Sequence, residues 1–464
     1  MVAAFQAVQH ELVLLAAVGI AVLGAEDFLF DLTWFALRRS RRRDVRPPVD
    51  GTIAIFVPAW RESRILPATL DRMLAVWRGE DIRIYIGCYP NDAATLFAVS
   101  QRVAAHAQLR LVIADRDGPS SKADNLNHMW RAMGADERAE GHRFAAVVLH
   151  DAEDQVHAAE IALFRRELPG AAMVQIPVEP VLTHRTGVIA AHYADEFAEA
   201  HGKEMPLRAA LSSGLPAAGV GCAFARTSLV LLALDRADGP FHADSLTEDY
   251  ELGMILGAAG GVCRFVEAVD DRGDRIAVRS EFPAALEACV RQKSRWIAGI
   301  AFAGWDRLRW SGHGTARTMA GAATGARGWC IRWMLWRDRR APLAACIILC
   351  AYLGLILSGI DRAAALMGWW SAMLIDPALA WLIIANGALM AWRLGMRMVF
   401  TGAIYGPWQG VLAIPRAFVG NVIHILAARR ACALYLRQLR TSELVWDKTE
   451  HAPLAKPALT LRRQ

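Results

Sequence analysis

The sequence lacks the signatures of several common functional classes. Its eight cysteines include no Cys-x-x-Cys pair, which excludes a zinc ribbon and favours free thiols in a reducing compartment. It contains no P-loop, and "GVGCAFAR" at 219–226 has Phe224 where a dinucleotide-binding loop needs its third glycine. We interpret that stretch as a tight loop that forms one wall of a binding site. The central region has no basic stripe interleaved with aromatic residues, so we expect no nucleic-acid partner.

Hydrophobic residues make up 55% of the 464 residues and charged residues 21%, which indicates a soluble domain joined to membrane spans. The apolar residues 12–37 are long enough to cross about 30 Å of hydrocarbon. A signal peptide carries its basic residues before the apolar stretch, whereas here arginines follow it, at positions 38, 39, 41, 42 and 43. By the positive-inside rule this span runs from the outside to the cytoplasm.

Residues 343–360 and 372–392 are predicted to form a hairpin of two spans, because both of its outer flanks are basic. Residues 398–427 contain Pro415, Arg416 and several glycines, which favours a re-entrant or interfacial segment, with a fourth span as the alternative. The predicted order is an N-terminal span with its basic flank at 1–45, a cytoplasmic domain at 46–297 and Trp- and Arg-rich interfacial helices at 298–341. C-terminal membrane segments follow at 342–440 and a short basic tail at 441–464.

Between the membrane segments, β-branched runs alternate with amphipathic stretches. The runs begin at residues 52, 82, 109 and 144, and the amphipathic stretches cover 65–77, 93–105 and 122–134. This alternation predicts an α/β domain with a largely parallel sheet. Ligands of such sheets bind beyond the carboxyl ends of the strands. The polar sequences that follow the runs are therefore candidate site segments: "VPAWRE", "YPND", "DRDGPSSKADNLN" and "HDAED".

Charged groups in two of these segments suit a nucleoside diphosphate. Asp151, Glu153 and Asp154 crowd three carboxylates at one strand end, which favours a hard divalent cation, Mg²⁺ or Mn²⁺, bridging to substrate phosphates. A solvated acidic turn is the alternative. Lys122 begins a predicted helix, where ammonium and free backbone N–H groups together suit a diphosphate, although an ordinary surface lysine also fits.

Two later motifs complete the candidate set. Glu248 and Asp249 in "SLTEDYELGM" are either a general base with its neighbour or simply a good helix start. Gln292, Arg295 and Trp296 in "RQKSRW" share one helix face, at i, i+3 and i+4. Arginine binds phosphate and tryptophan offers a flat face to a sugar ring. An interfacial tryptophan anchor with a snorkelling arginine is the alternative.

In this order the motifs resemble those of the membrane-bound family 2 glycosyltransferases, the group of cellulose, hyaluronan and chitin synthases. The series is "VPAWRE", "YPND", "KADNLN", "DAE" in place of Asp-x-Asp, "TED", and "QKSRW" matching Gln-x-x-Arg-Trp, followed by membrane helices. The motifs "YPND", "HDAED" and "GVGCAF" are most similar to those of the glycosyltransferase part of the bacterial phage-adsorption protein B family. The resemblance implies a Rossmann-like GT-A domain in the cytoplasm, joined to transmembrane and interfacial helices of the bacterial inner membrane.

The resemblance also implies roles for individual residues. The donor, expected to be a UDP-sugar, would meet Glu62, Asp92, Lys122, Asp151, Gln292 and Arg295. Asp249, beside Glu248, would be the base that activates the acceptor hydroxyl, and Trp296 would floor the acceptor site. The metal would be bound by residues from Asp151, Glu153 and Asp154. Glu153 departs from the usual aspartate, which leaves metal identity open.

The implied reaction is processive synthesis of an exopolysaccharide from a growing glycan, with membrane lipids around the enzyme and an export partner in the periplasm or outer membrane. Two alternatives stay open: single transfer to a lipid-phosphate carrier, and a non-catalytic scaffold that retains the fold. Because only a basic tail follows the last apolar segment, we expect no cyclic-dinucleotide-binding domain in this chain. Asn421 and His424 are candidates for a polar pathway, and the acids at 26, 27 and 31 are expected to pair with arginines.

Overall fold

The computed structural model describes residues 1–38, 46–183, 185–310 and 325–441. Most of the predicted basic flank and nearly all of the predicted C-terminal tail lie outside the described residues. The strands are β1 Ile53–Pro58, β2 Ile82–Cys88, β3 Leu109–Ile113, β4 Ala146–Leu149, β5 Met173–Gln175, β6 Val178–Pro180, β7 Cys222–Ala225, β8 Cys263–Phe265 and β9 Val278–Ser280.

Helices fill the connections and both ends of the chain. Those up to the first π-helical turn are α1 Val2–Leu37, α2 Leu66–Val76, α3 Ala93–Val103, α4 Lys122–Glu140, α5 Glu160–Glu167 and α6 Val188–Glu199. After the turn Ala200–Glu204 come α7 Met205–Leu211, α8 Arg226–Leu234, α9 Glu248–Ala258 and α10 Leu286–Ile297. A second π-helical turn, Ala298–Ala303, leads to α11 Gly304–Leu308, α12 Gly325–Arg339, α13 Ala341–Leu366, α14 Pro377–Tyr405 and α15 Pro407–Thr441.

In the described part of the chain, the main sheet has seven strands in the order β3-β2-β1-β4-β7-β5-β8. Strands β1 to β4 are mutually parallel where they pair, β7 runs antiparallel to β4 and β5, and β6 and β9 form a separate two-stranded sheet. In β1, Ile55 packs into the core beneath α2 and Phe56 into the core beneath α4, and both are fully buried. A strand covered on both faces needs this continuous apolar run.

The four strands and three helices predicted between residues 52 and 149 are confirmed, with ends that differ by a few residues. Five further strands were not predicted, because runs of three or four residues carry little periodicity. The stretch "GVGCAFAR" is a loop only in its first half. Gly219 and Gly221 have positive φ angles, and the chain then continues directly into β7.

Among the described residues, four helices, α1, α13, α14 and α15, are long and apolar enough to cross a membrane. The expected pairing with arginines is confirmed for two of the three candidate acids in α1, whereas the third, Asp31, pairs with a lysine. Glu26 and Asp27 both bind Arg337 and Arg340 at the end of α12, and Asp31 binds Lys203 at 2.6 Å. These ion pairs fasten the C-terminal half of α1 to the helices that surround the α/β domain.

Residues 398–427 do not form a short hairpin of their own. Those up to Tyr405 complete α14, and those from Pro407 belong to the 35-residue α15. Along its length α15 contacts α6, α10 and the turn into α11. The two candidates for a polar pathway have partners on α13: Asn421 bonds the Tyr352 hydroxyl at 3.0 Å and His424 bonds the Ala341 carbonyl at 2.9 Å. Both side chains tie α15 to α13.

Candidate active site

A cavity of about 530 Å³ opens at the carboxyl ends of the parallel strands. Nine of the residues predicted from the sequence line it: Glu62, Lys122, Asp151, Glu153, Glu248, Asp249, Gln292, Arg295 and Trp296. They arrive from the ends of β1 and β4, the N-termini of α4 and α9, and one face of α10. The fold therefore brings together residues that are up to 234 positions apart in sequence, from Glu62 to Trp296.

Lys122 stands at the first position of α4 and reaches across the cavity. Ser121 caps this helix by accepting a hydrogen bond from the Asp124 N–H at 3.0 Å. The Lys122 ammonium lies 2.6 Å from Asp151 and 3.4 Å from the Gly219 carbonyl. Burial opposes its charge, but the carboxylates of Asp151 and the two acids of α9 raise the pKa of Lys122. The lysine is thus a fixed cation next to a helix N-terminus.

Glu248 and Asp249 occupy the first turn of α9, as predicted. The loop residue Gly219 lies so close to Asp249 that a Cβ there would collide with its carboxylate. Burial, followed by the charge of Asp249, raises the pKa of Glu248 to about 7. Burial likewise raises the pKa of Asp249, although Lys122 opposes that shift. Two carboxyl groups held together in this way can store and release a proton near neutral pH.

One face of α10 supplies the other side of the cavity. Gln292, Arg295 and Trp296 all point into it, which confirms the predicted shared face. The Nε of Arg295 is buried without a hydrogen-bond partner among the described residues. A buried donor in that state is costly unless a ligand accepts from it. The arginine is therefore placed for an anion, whereas Trp296 packs edge-on against Tyr193 with ring centroids 6.0 Å apart.

The structure does not bring Asp92 or Asp154 into the cavity. Asp92 caps α3 by accepting from the Thr95 N–H at 3.3 Å, and it also accepts from the Arg61 N–H at 2.5 Å. Because both of these bonds go to backbone groups, the carboxylate shapes the loop instead of facing a nucleotide. The pattern "YPND" could not distinguish these two roles, since aspartate is a common cap.

Asp154 points into the domain, where it holds β4 against its neighbours. It accepts hydrogen bonds from His150 and the Asp151 N–H at 3.0 Å, and from Ser280 at 2.6 Å. Burial opposes a charge on His150, but Glu160 on its other side and Asp154 raise the pKa of the imidazole to about 10. The carboxylate therefore balances a buried imidazolium, which corrects its prediction as a metal ligand.

No group of three or more His, Cys, Asp or Glu side chains that could hold a metal occurs in the described ranges. Asp151 and Glu153 both line the cavity, and carboxylate oxygens are suitable ligands for Mg²⁺ or Mn²⁺. The donor set fits a divalent ion whose remaining ligands are substrate phosphate oxygens. Asp151 also pairs with the Lys122 ammonium.

Two asparagines of α4 bond to backbone groups of neighbouring segments, and the first of them, Asn125, also lines the cavity. Asn125 donates to the Gly87 carbonyl at 3.1 Å, and Asn127 exchanges two hydrogen bonds with the backbone of Phe241. The second contact anchors the loop that leads into α9. One residue that touches the site machinery was missed altogether: Tyr193 of α6, which bonds Gln292. No local signal marks it, because its partner lies 99 residues away.

Comparison with known proteins agrees with this geometry. The model of the family described as "Glycosyltransferase like family 2" matches residues 47–299. The chain belongs to glycosyltransferase family 2. It is therefore a glycosyltransferase, as the ordered motifs predicted. The match covers the main sheet and every predicted site residue.

Two curated relatives of this family 2 glycosyltransferase are the bacteriophage adsorption protein B of Escherichia coli strain K12 and the bacteriophage N4 adsorption protein B of Escherichia coli O157:H7. Each is 32% identical over 469 residues, which cover 94% of this chain and 61% of the relative. The chain thus spans about three-fifths of the length of these relatives.

Among solved structures, the mannosyltransferase PcManGT from Pyrobaculum calidifontis, in complex with GDP-Man and Mn²⁺, is similar with a TM-score of 0.53. At 16% identity the likeness covers 90% of this chain and 99% of that chain. It confirms the predicted GT-A type of fold.

Proposed function

We propose that this family 2 glycosyltransferase is an inverting enzyme of the bacterial inner membrane that uses a nucleotide diphosphate sugar to extend a polysaccharide. The observation that carries the proposal is the cavity in which Lys122, Asp249 and Arg295 meet. Transfer from a diphosphate donor needs positive groups near the leaving diphosphate and a base for the acceptor hydroxyl. Lys122 at a helix N-terminus and Arg295 with an unpaired donor suit the first task, and Asp249 with its raised pKa suits the second.

The donor diphosphate would lie between Lys122 and Arg295, where the two cations neutralise the charge that develops as the sugar leaves. Gln292 adds a directional amide beside them. Asp151 and Glu153 would hold Mg²⁺ or Mn²⁺, which supplies further neutralisation of the leaving diphosphate when bound. The GDP-Man and Mn²⁺ in PcManGT support a nucleotide sugar and a divalent ion for this chain also.

Asp249 would take the proton of the acceptor hydroxyl. The oxygen of the acceptor hydroxyl then attacks the anomeric carbon from the side opposite the diphosphate. The C–O bond to the diphosphate breaks, and the configuration at the anomeric carbon inverts. Trp296 offers its ring to the acceptor sugar, and we expect Trp296→Ala to raise the acceptor KM more than the donor KM. The proposed base, Lys122 and the three α10 residues all line the same cavity, which supports a catalytically active enzyme over a non-catalytic scaffold.

A second candidate is single transfer to a lipid-phosphate carrier. The packing of the apolar helices favours it. Gly19 of α1 lies against Ile347 of α13, and Gly24 lies against Leu389 of α14, so closely that an added Cβ would crowd either neighbour. A polymer could not pass between α1 and these two neighbours without separating them, and a reaction at the membrane surface needs no such separation. In the first proposal, extension of a polymer, the glycan leaves through an export partner.

The test uses the full chain in detergent or nanodiscs, with Mn²⁺ or Mg²⁺ and a panel of UDP- and GDP-sugars. Released nucleoside diphosphate identifies the donor, and mass spectrometry of the product separates polymer from single transfer. Asp249→Asn is expected to abolish release and to keep nucleotide binding. Asp244→Asn, an exposed carboxylate of the preceding loop, is the matched control. No release with any sugar, or full activity of Asp249→Asn, would overturn the proposal.

A further inference from the structure

We propose that Tyr193 is a positioning residue that orients the Gln292 amide toward the donor diphosphate; this rests on the proposed function. The Tyr193 hydroxyl donates to Oε1 of Gln292 at 2.7 Å. Gln292 lines the cavity next to Arg295. With its carbonyl oxygen held by the tyrosine, the amide presents its two N–H donors to the cavity, where phosphate oxygens can accept them.

The tyrosine ring is itself held on several sides. It is fully buried, with ring centroids 4.6 Å from Phe282 and 4.3 Å from His192, and it meets Trp296 edge-on. Burial raises the pKa of the hydroxyl, which therefore stays protonated and able to donate. A donor on a ring with this packing has little rotamer freedom left to lose, so it can fix its partner at small entropic cost.

Two ion pairs hold the helix that carries Tyr193, both just after the tyrosine along α6. Glu196, one turn further along α6, pairs with Lys293 at 2.5 Å, and Lys293 directly follows Gln292. Asp195 accepts from Arg416 of α15 at 2.7 and 2.8 Å. These ion pairs fix α6, and with it the Tyr193 hydroxyl, against α10, which carries Gln292, and against the apolar helix α15.

The positioning role differs from a merely structural hydrogen bond in what it predicts. Removal of a buried hydroxyl bond destabilises a fold by about 1 kcal/mol wherever it lies. If Tyr193 also orients Gln292, Tyr193→Phe should lower kcat/KM for the donor about tenfold and weaken binding of UDP or GDP, because the amide can turn its oxygen toward phosphate. In a Gln292→Ala background the same change should have no further effect on either quantity.

Tyr85→Phe is the matched control. Its hydroxyl is also held by a buried ring and donates to Asp136 at 2.8 Å, away from the cavity. We expect it to lose stability without a change in kcat/KM.

The double-mutant cycle is measured with donor turnover and with calorimetric titration of UDP and GDP. Additive effects of Tyr193→Phe and Gln292→Ala, or equal kinetics for Tyr193→Phe and Tyr85→Phe, would overturn the positioning role. If the wild-type chain turns over no donor, the proposed function fails, and the nucleotide titrations still decide the role of Tyr193.

Discussion

Replacement of Gly219 by alanine tests the geometry of the proposed base directly. Gly219 has a φ of +74°, and a Cβ built on it would strike the Asp249 carboxylate and lie 3.3 Å from the Lys122 ammonium. The left-handed backbone by itself costs an alanine about 1–2 kcal/mol. The collision adds a displacement of the carboxylate, and a shift of about 1 Å at a reacting group can lower the rate by roughly 10²-fold.

Gly141 supplies the control for this experiment. It ends α4 in the same left-handed region, with a φ of +70°, but a Cβ there meets nothing within 4 Å. Gly141→Ala should therefore lose a similar amount of stability and keep its turnover. Gly219→Ala should lose about 2.7 kcal/mol of transition-state stabilisation in addition, which corresponds to the 10²-fold lower kcat.

Both variants are measured in the same detergent, by nucleoside diphosphate release and by chemical denaturation. Equal turnover of the two, at equal stability, would refute the reasoning. In that case the carboxylate next to Gly219 tolerates displacement and is not the base. A loss of activity in Gly141→Ala would show that left-handed strain alone disturbs the enzyme.

Three other outcomes are expected. Burial raises the pKa of Asp249, and burial together with the charge of Asp249 raises the pKa of Glu248 to about 7. Turnover should therefore rise with pH as the pair loses protons, and a flat pH profile between about pH 5 and 8 would contradict the assignment of the base. Asp92→Ala should lower stability by about 1 kcal/mol through loss of its cap and leave nucleotide affinity unchanged in titration; weaker nucleotide binding at unchanged stability would restore a donor role. Glu153→Gln should raise the Mn²⁺ concentration needed for half-maximal rate. Asp154→Asn should lower the denaturation midpoint and leave that Mn²⁺ concentration unchanged. The reverse pattern would show that Asp154 is the metal ligand.

Local sequence determined the elements and the chemistry at their ends. Buried runs such as the one from Ile53 to Pro58 form the strands of an α/β domain, and the polar segments after them lie at the edge of the sheet where ligands bind. The helix start at Lys122 follows from the Ser121 cap, and the start at Glu248 from the acids in the first turn of α9. For this reason the cavity contains most of the predicted residues, and the family followed from their order.

Only the tertiary structure decided which way individual side chains turn. Asp154 faces a buried imidazolium and Ser280, which lies 126 residues away, and Asp92 serves the backbone of Arg61. Tyr193 reaches Gln292 across 99 residues, and Gly219 is required because Asp249 stands against it. The physical reason is common to all of them. Capping, charge balance and close approach depend on the neighbours that folding brings near, and spacing along one segment does not encode those neighbours.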